Sequence, residues 1–430
     1  MNQEQQRSRK VITLSLLFGA MLISFMIRFA LGVVAPTLMQ MYDITPKTMG
    51  YILSGYNWSY TASLLFVGVI VDRVGPWMAM AGGSIIWGIS TVALPIASGA
   101  VGLFVVRLIF GFGQGVLIPT NALAISRTFD VKERTRAISV AFSGNVLGLA
   151  VGGTVAAFIM SQFGWQAVFY VLGGVSLLLT AAWFLFFPDK RVGKQPAAPP
   201  DAAKTADQLG LSWGSLFRYR ATWGIAFGQM GYLYAYFFFV SWLPGYLVIE
   251  RQMTVLRSGI VASLPFLLGM VGTLAGGWLG DYLIKRGVSP TVSRKSIIGT
   301  GLSISTVMVV AAAFVAQAWL AVTLITLCVG FLRLATGSAN SLPIDLAPRA
   351  VVATLTSIQN FFGNVGGLLA PIVTGYIVSA TGSFVGSLVV AGGMALLGAV
   401  SYVFILGNLE TGRIEPRVRP ATQMSASEAL

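Results

Sequence analysis

VITLSLLFGAMLISFMIRFALGVVA, residues 11–35, is an uninterrupted apolar run with one charge, Arg28, and no acidic residue. About 20 such residues suffice to cross a hydrocarbon core of roughly 30 Å, so the run reads as a membrane-spanning helix. It is too long for the apolar core of a signal peptide and no small-residue cleavage site follows it, so it is expected to be retained. Arg28 lies past the middle of the run, too deep to reach an interface easily by extending its side chain. An unpaired arginine at that depth costs about 2.5–3.5 kcal/mol on insertion scales and survives only where it faces a bundle interior or a wet cavity. A second such residue, Arg333, sits inside an apolar run near the other end of the chain. Two cations at membrane depth without a carboxylate at that depth imply a path for something negatively charged.

Working outward, twelve segments of spanning length can be laid out, at 11–35, 48–71, 77–98, 100–124, 136–160, 165–187, 221–247, 257–280, 296–316, 318–341, 351–378 and 384–407. The chain of 430 residues is 56% hydrophobic and only 10% charged, the composition of a polytopic membrane protein. With the N-terminus inside, 22 of the 28 Lys and Arg fall in cytoplasmic loops and tails; Lys47, Arg251 and Arg257 fall outside, and Arg28, Arg107 and Arg333 within segments. That bias places both termini in the cytoplasm, and an inner bacterial membrane is the expected location. The net charge of +14 is thereby accounted for as topology, and a nucleic-acid partner is not expected. A single cysteine, Cys328, excludes an intramolecular disulfide, and the absence of histidine removes the commonest metal ligand and proton shuttle. No metal or cofactor is expected.

Residues 188–220 form the one long polar stretch, read as a cytoplasmic linker between halves at 1–187 and 221–410, with a tail at 411–430. The halves echo each other. Gly68-Val-Ile-Val-Asp72-Arg73-Val-Gly75 follows the second segment, and Gly277-Trp-Leu-Gly-Asp281-Tyr-Leu-Ile-Lys285-Arg286-Gly287 follows the eighth, with the aspartates 209 residues apart. Each Asp is expected to cap a helix end or pair with a base at the cytoplasmic face. These motifs, with Arg107-x-x-x-Gly111-x-Gly113-Gln114, resemble signatures of the major facilitator superfamily. Ile118-Pro-Thr-Asn121, Ser241-Trp-Leu-Pro-Gly-Tyr-Leu247 and the run Gln359-Asn-Phe-Phe-Gly-Asn-Val-Gly-Gly-Leu-Leu-Ala-Pro371 narrow the resemblance to its anion:cation symporter family of organic-anion transporters. The resemblance spans the chain apart from tails and linker. It implies an all-α membrane protein, with twelve transmembrane helices in two pseudo-symmetric six-helix bundles that rock about a substrate near the midplane.

Candidate binding residues follow. Arg28 has Ser24 and Gly32 four residues away on its face, and its planar fork suits a carboxylate; in the resembled family an arginine here contacts the anionic substrate. Arg333 shares a small, polar stripe with Gly330, Thr336, Gly337 and Asn340, and the nearest acid in sequence, Asp345, lies at the cytoplasmic end. The family does not typically place arginine there, so this assignment rests on charge and depth. Arg107 belongs to a motif whose arginine is generally structural or coupling-related in the superfamily. Gln114, Asn145, Asn360, Asn364 and the tyrosine pairs Tyr56/Tyr60 and Tyr232/Tyr236 are equally consistent with helix bridging and packing. By motif position, Tyr60, Gln114, Asn145 and Asn360 fall where the resembled symporters line their cavity. The resulting set is Arg28, Tyr60, Gln114, Asn145, Tyr232, Tyr236, Arg333, Asn360 and Asn364, with Gly68, Asp72, Arg73, Arg107, Gly277 and Asp281 as structural or gating positions.

One departure bears on energetics. Proton-coupled members of the resembled family carry an acid beside the first-helix arginine and another on helix 4, where this chain has Ile27 and Gln114. None of the fourteen acidic residues lies in the middle of a segment. Three routes stay open: symport with the proton on the substrate or an unrecognised group, exchange of one anion for another, and uniport. The expectation is a secondary transporter, not an enzyme, for a small organic anion such as a sugar acid, an aromatic acid or a dicarboxylate, working as a monomer with H+ or a counter-anion. The alternatives are a multidrug-type efflux carrier, which membrane carboxylates would favour, and a transporter-like anion sensor, for which no signalling module is evident.

Overall fold

The computed structural model describes residues 3–189, 213–348, 351–409 and 414. Eleven helices among them are long and apolar enough to cross a membrane. The first half contains α1 (Gln3–Met41), α2 (Pro46–Ser63), α3 (Val67–Ala93), α4 (Gly99–Gln114), α5 (Leu117–Thr128), α6 (Val131–Phe163) and α7 (Trp165–Phe186). After a single turn, α8 (Trp213–Leu216), the second half contains α9 (Arg220–Ile249), α10 (Val255–Lys285), α11 (Pro290–Phe314), α12 (Ala318–Leu334), α13 (Thr336–Leu346), α14 (Val352–Thr381) and α15 (Val385–Val400), which runs into a π-helical turn at Ser401–Ile405. Most of the expected linker, 190–212, and the tail apart from Ile414 lie outside the described residues.

The twelve expected spans are present, differently punctuated. The second is α2 followed by the first turns of α3, with a break over 64–66; α2 falls short of the other spans in hydropathy because it carries Lys47, Asn57 and several hydroxyls. Gly75, at φ 79°, turns the chain inside α3 and separates the second span from the third, a backbone angle that favours glycine. The fourth span is α4 plus α5 and the tenth is α12 plus α13, each interrupted for one or two residues. At both interruptions the backbone tightens: Gly115 N donates to Phe112 O, and Ala335 N to Leu332 O, three residues back. Large apolar side chains such as Leu178, Leu185 and Phe404 stay exposed on the periphery, as lipid-facing surfaces require.

Packing between halves runs through α1 on α9, α2 on α14 and α6 on α10. The contacts gather at the helix ends away from the chain termini. A Cβ on Gly50 would stand 2.4 Å from Pro371 O, and one on Gly375 would stand 2.4 Å from Pro46 O, so backbones meet where only hydrogen fits. Lys47 N donates to Ser379 Oγ at 2.9 Å, the Tyr51 and Tyr376 hydroxyls meet at 3.0 Å, and Asn57 Nδ2 donates to Gly367 O at 3.2 Å. On the face that bears the termini, charges tie elements within each half: Lys10 to Asp130 and Glu133, Arg127 to Asp189, and Arg294 to Asp345. Asp345 is thus partnered by Arg294 rather than by Arg333. Asp72, Arg73 and Asp281 are exposed, and among the described residues they make no ion pair, so the expected base pairing of the two aspartates is not seen there. Gly68 and Gly277 likewise have open space above their Cα atoms.

The halves are therefore closed on one face and separated on the other. Gly50→Leu forces the closed face apart, since overpacking costs about 1–3 kcal/mol, or roughly a 5- to 150-fold shift in a two-state equilibrium. In a Cys328→Ala background, a reporter at the buried interface position Asn57 (Asn57→Cys) in detergent should be labelled by a hydrophilic maleimide several-fold faster when Gly50→Leu is present. Equal labelling of two well-folded proteins would count against this closure.

Candidate functional site

Arg28 projects from the middle of α1 into the first half and is 7% exposed. Its Nε donates to Gln114 Oε1 at 2.6 Å, and Gln114 Nε2 donates in turn to Ser24 Oγ at 2.7 Å. Ser24 is one helical turn before Arg28, so a single glutamine clamps one face of α1 from the last residue of α4. Three rings surround the guanidinium, with Cζ 4.4 Å from the Phe25 centroid, 5.0 Å from Tyr56 and 5.2 Å from Tyr60. Each cation–π contact is worth about 0.5–1 kcal/mol, rising to about 2 kcal/mol when desolvated.

Arg107, also on α4, is 2% exposed and stacks on the same Tyr56 ring, with Cζ 4.8 Å from its centroid and 4.9 Å from that of Phe110. Its Nε is buried without a hydrogen-bond partner. Tyr56 is thus shared by two cations. Among the described residues no carboxylate pairs with either of them.

The second half repeats the theme with different chemistry. Arg333, on the last turn of α12, is partly buried; its Nη1 donates to Tyr232 Oη at 3.0 Å, and its Cζ lies 5.0 Å from the Tyr236 centroid. Tyr232 and Thr336 hydroxyls meet at 2.8 Å, and Thr336 Oγ1 donates to Arg333 O at 2.7 Å, which ties the interruption before α13 to α9. Tyr232 and Tyr236, four residues apart on α9, present one edge to the arginine.

Between the halves, Tyr60, Thr61, Ile118, Ser357, Asn360 and Asn364 line a cavity of about 280 Å³ on the separated side. It brings the second span of one half against the eleventh of the other. Asn364 Nδ2 donates to Asn360 O at 2.9 Å, and the Asn360 side chain is left exposed to the cavity. Asn145, on α6, is half-buried and makes no side-chain hydrogen bond among the described residues, so it is not drawn into either arginine cluster.

Sequence reasoning passed over two parts of this arrangement. Tyr56, the platform under Arg28 and Arg107, was legible only as the partner of Tyr60 at helical spacing. Ser24, which orients Gln114, was legible as a neighbour of Arg28 but not as a hydrogen-bond acceptor from α4. A third group, Gln359 with Gln229 and Tyr402, is buried in the second half; Tyr402 Oη donates to Gln229 Oε1 at 2.7 Å, and Gln359 Nε2 donates to Ala339 O at 2.9 Å. It bridges α9, α13, α14 and the π-helical turn, and serves packing.

Comparison with known proteins agrees with this architecture. The solved structure of a bacterial homologue of the human lysosomal transporter Spinster, in an inward-facing and unoccupied conformation, matches with a TM-score of 0.80 at 16% identity, covering 95% of this chain and 99% of that one. The hexuronate transporter of Bacillus subtilis (strain 168) is 30% identical over 92% of this chain and 94% of its own length. The D-galactonate transporter of Escherichia coli O6:H1 is 28% identical over 95% of this chain and 98% of its own. The family model of the Major Facilitator Superfamily matches residues 17–293. The chain belongs to the Major Facilitator Superfamily.

Proposed function

We propose that this protein is a secondary transporter of a small organic anion, with an acidic group of the cargo seated on the outer fork of Arg28. The observation that carries the reading is a buried guanidinium held in place by Gln114 and three rings, with no carboxylate among the described residues to neutralise it. An internal salt bridge would have satisfied the charge and closed the site. Here the missing counter-charge matches what a carboxylate cargo supplies, and Arg presents the planar donors that recognise it. The relatives named for hexuronate and D-galactonate handle sugar acids, which agrees with a polyhydroxy carboxylate and with the two amides, two hydroxyls and one phenol that line the cavity.

In the alternating-access reading, 1–187 and 221–410 rock as units about the 188–220 linker. Lys and Arg placement supports an orientation with both termini in the cytoplasm of an inner-membrane protein; in that orientation the closed face is external and the state described is inward-facing. Asp72, Arg73 and Asp281, which make no ion pair among the described residues, are proposed to engage across the cytoplasmic face when it closes. Tyr60, Asn360 and Asn364 line the route, Tyr232 and Tyr236 shape its second side, and Asn145 is proposed as a contact made only on closure. Coupling then rests on the cargo, because among the described residues no acid pairs with the arginines: a proton borne by the substrate, a counter-anion, or the substrate gradient alone drives turnover.

Two measurements test the reading. In proteoliposomes, Arg28→Ala should lower carboxylate uptake by roughly 100-fold, the order expected for losing one buried charge-assisted pair; wild-type uptake by the variant would sink the proposal. With a pH gradient, a trans anion or neither, the same vesicles separate symport, exchange and uniport. In the absence of any anion, Arg28→Met should raise the Tm of the purified protein, because it removes one of two cations on Tyr56 and replaces it with a chain of similar length. A lower Tm would show that the arginine is structural.

A further inference from the structure

We infer that the cargo carries two acidic groups, one for each half, and that Arg333 with Tyr232 is the second anion seat. This rests on the reading of Arg28 as the first. Arg333 spends one nitrogen on the Tyr232 phenol, and among the described residues its Nε and Nη2 have no protein acceptor and it has no ion pair. Its stem is fixed against Gly269, where a Cβ would lie 3.1 Å from Arg333 Cγ, so the head is aimed rather than free. A merely structural arginine would be expected to spend its donors on carbonyls, as Arg251 does on Ala312, Val315 and Ala316.

The two seats are linked across the interface. Arg333 Cζ lies 5.0 Å from the Tyr236 centroid, the Tyr236 ring lies 6.0 Å from that of Phe237, and Phe237 lies 6.5 Å from Tyr56 beneath Arg28. The helices are also interrupted in corresponding places: α4 ends at Gln114, the clamp on Arg28, and α12 ends one residue after Arg333. Paired interruptions in the two halves of a transporter mark where cargo meets non-helical backbone. Arg107 is closed off under Tyr56 and does not compete.

A dianion bridging the seats neutralises one cation in each half and holds the separated ends together; a monoanion leaves one cation bare. The site should therefore select a diacid over the monoacid that differs only at one end.

The test uses two matched pairs in proteoliposomes at neutral pH, glucarate against gluconate and succinate against 4-hydroxybutyrate. Within at least one pair, wild-type kcat/KM should favour the diacid by about 10- to 100-fold, the worth of one charge-assisted contact. Arg333→Gln should erase that preference by lowering diacid uptake while leaving the monoacid within a few-fold. Arg333→Lys should restore part of it, and Arg28→Gln should abolish uptake of both. Equal or better uptake of the monoacids by wild type, or a uniform loss for both in a folded Arg333→Gln protein, overturns the second seat while the Arg28 reading stands. No uptake of any of the four acids, with Arg28→Gln indistinguishable from wild type, overturns both.

Discussion

A guanidinium buried in a membrane protein without a counter-charge is the constraint on which this structure turns. Placing it at depth costs about 2.5–3.5 kcal/mol even on lenient scales, and the chain does so three times, at Arg28, Arg107 and Arg333. A carboxylate beside each would repay much of that. Instead the protein surrounds them with neutral acceptors and ring faces, namely Gln114, Tyr56, Tyr60, Tyr232 and Tyr236. These stabilise a cation partially and leave its charge in place for another partner.

That choice is coupled to mechanics. The clamp on Arg28 comes from the end of α4 and the brace on Arg333 from the start of α13, both at interruptions in otherwise continuous spans. Local helix distortion beside a charged group lets small shifts of one segment alter the site without unpacking the bundle. At the far face, glycine-to-carbonyl contacts of Gly50 and Gly375 let the halves meet backbone to backbone. Such a seal brings few side chains to its points of closest approach.

Much of this was legible in the chain. The spans, their order and the duplicated Gly-Asp motifs follow from apolar length and spacing, which the bilayer enforces locally. Arg28 and Arg333 stood out because a charge in an apolar run is costly wherever its helix points. Asp72 and Asp281 were harder: their motif announced importance, but whether an acid at a helix end finds a base depends on which helix ends the bundle brings beside it. Tyr56 was missed as the shared platform because helical spacing ranks it equally with Tyr60, and nothing local says that α4 delivers a second arginine to the same ring.

What the sequence determined by itself was an all-helical membrane protein in two related halves with unpaired cations at depth, because hydrophobic length and charge cost are properties of each segment against lipid. What only the tertiary structure decided was partnership. That Gln114 rather than an acid holds Arg28, that Asp345 goes to Arg294 and not Arg333, and that Tyr236 lies under the Arg333 guanidinium all depend on which faces of distant helices meet. Helix rotation and crossing are set by close packing of small residues over the whole bundle, and no single segment encodes them.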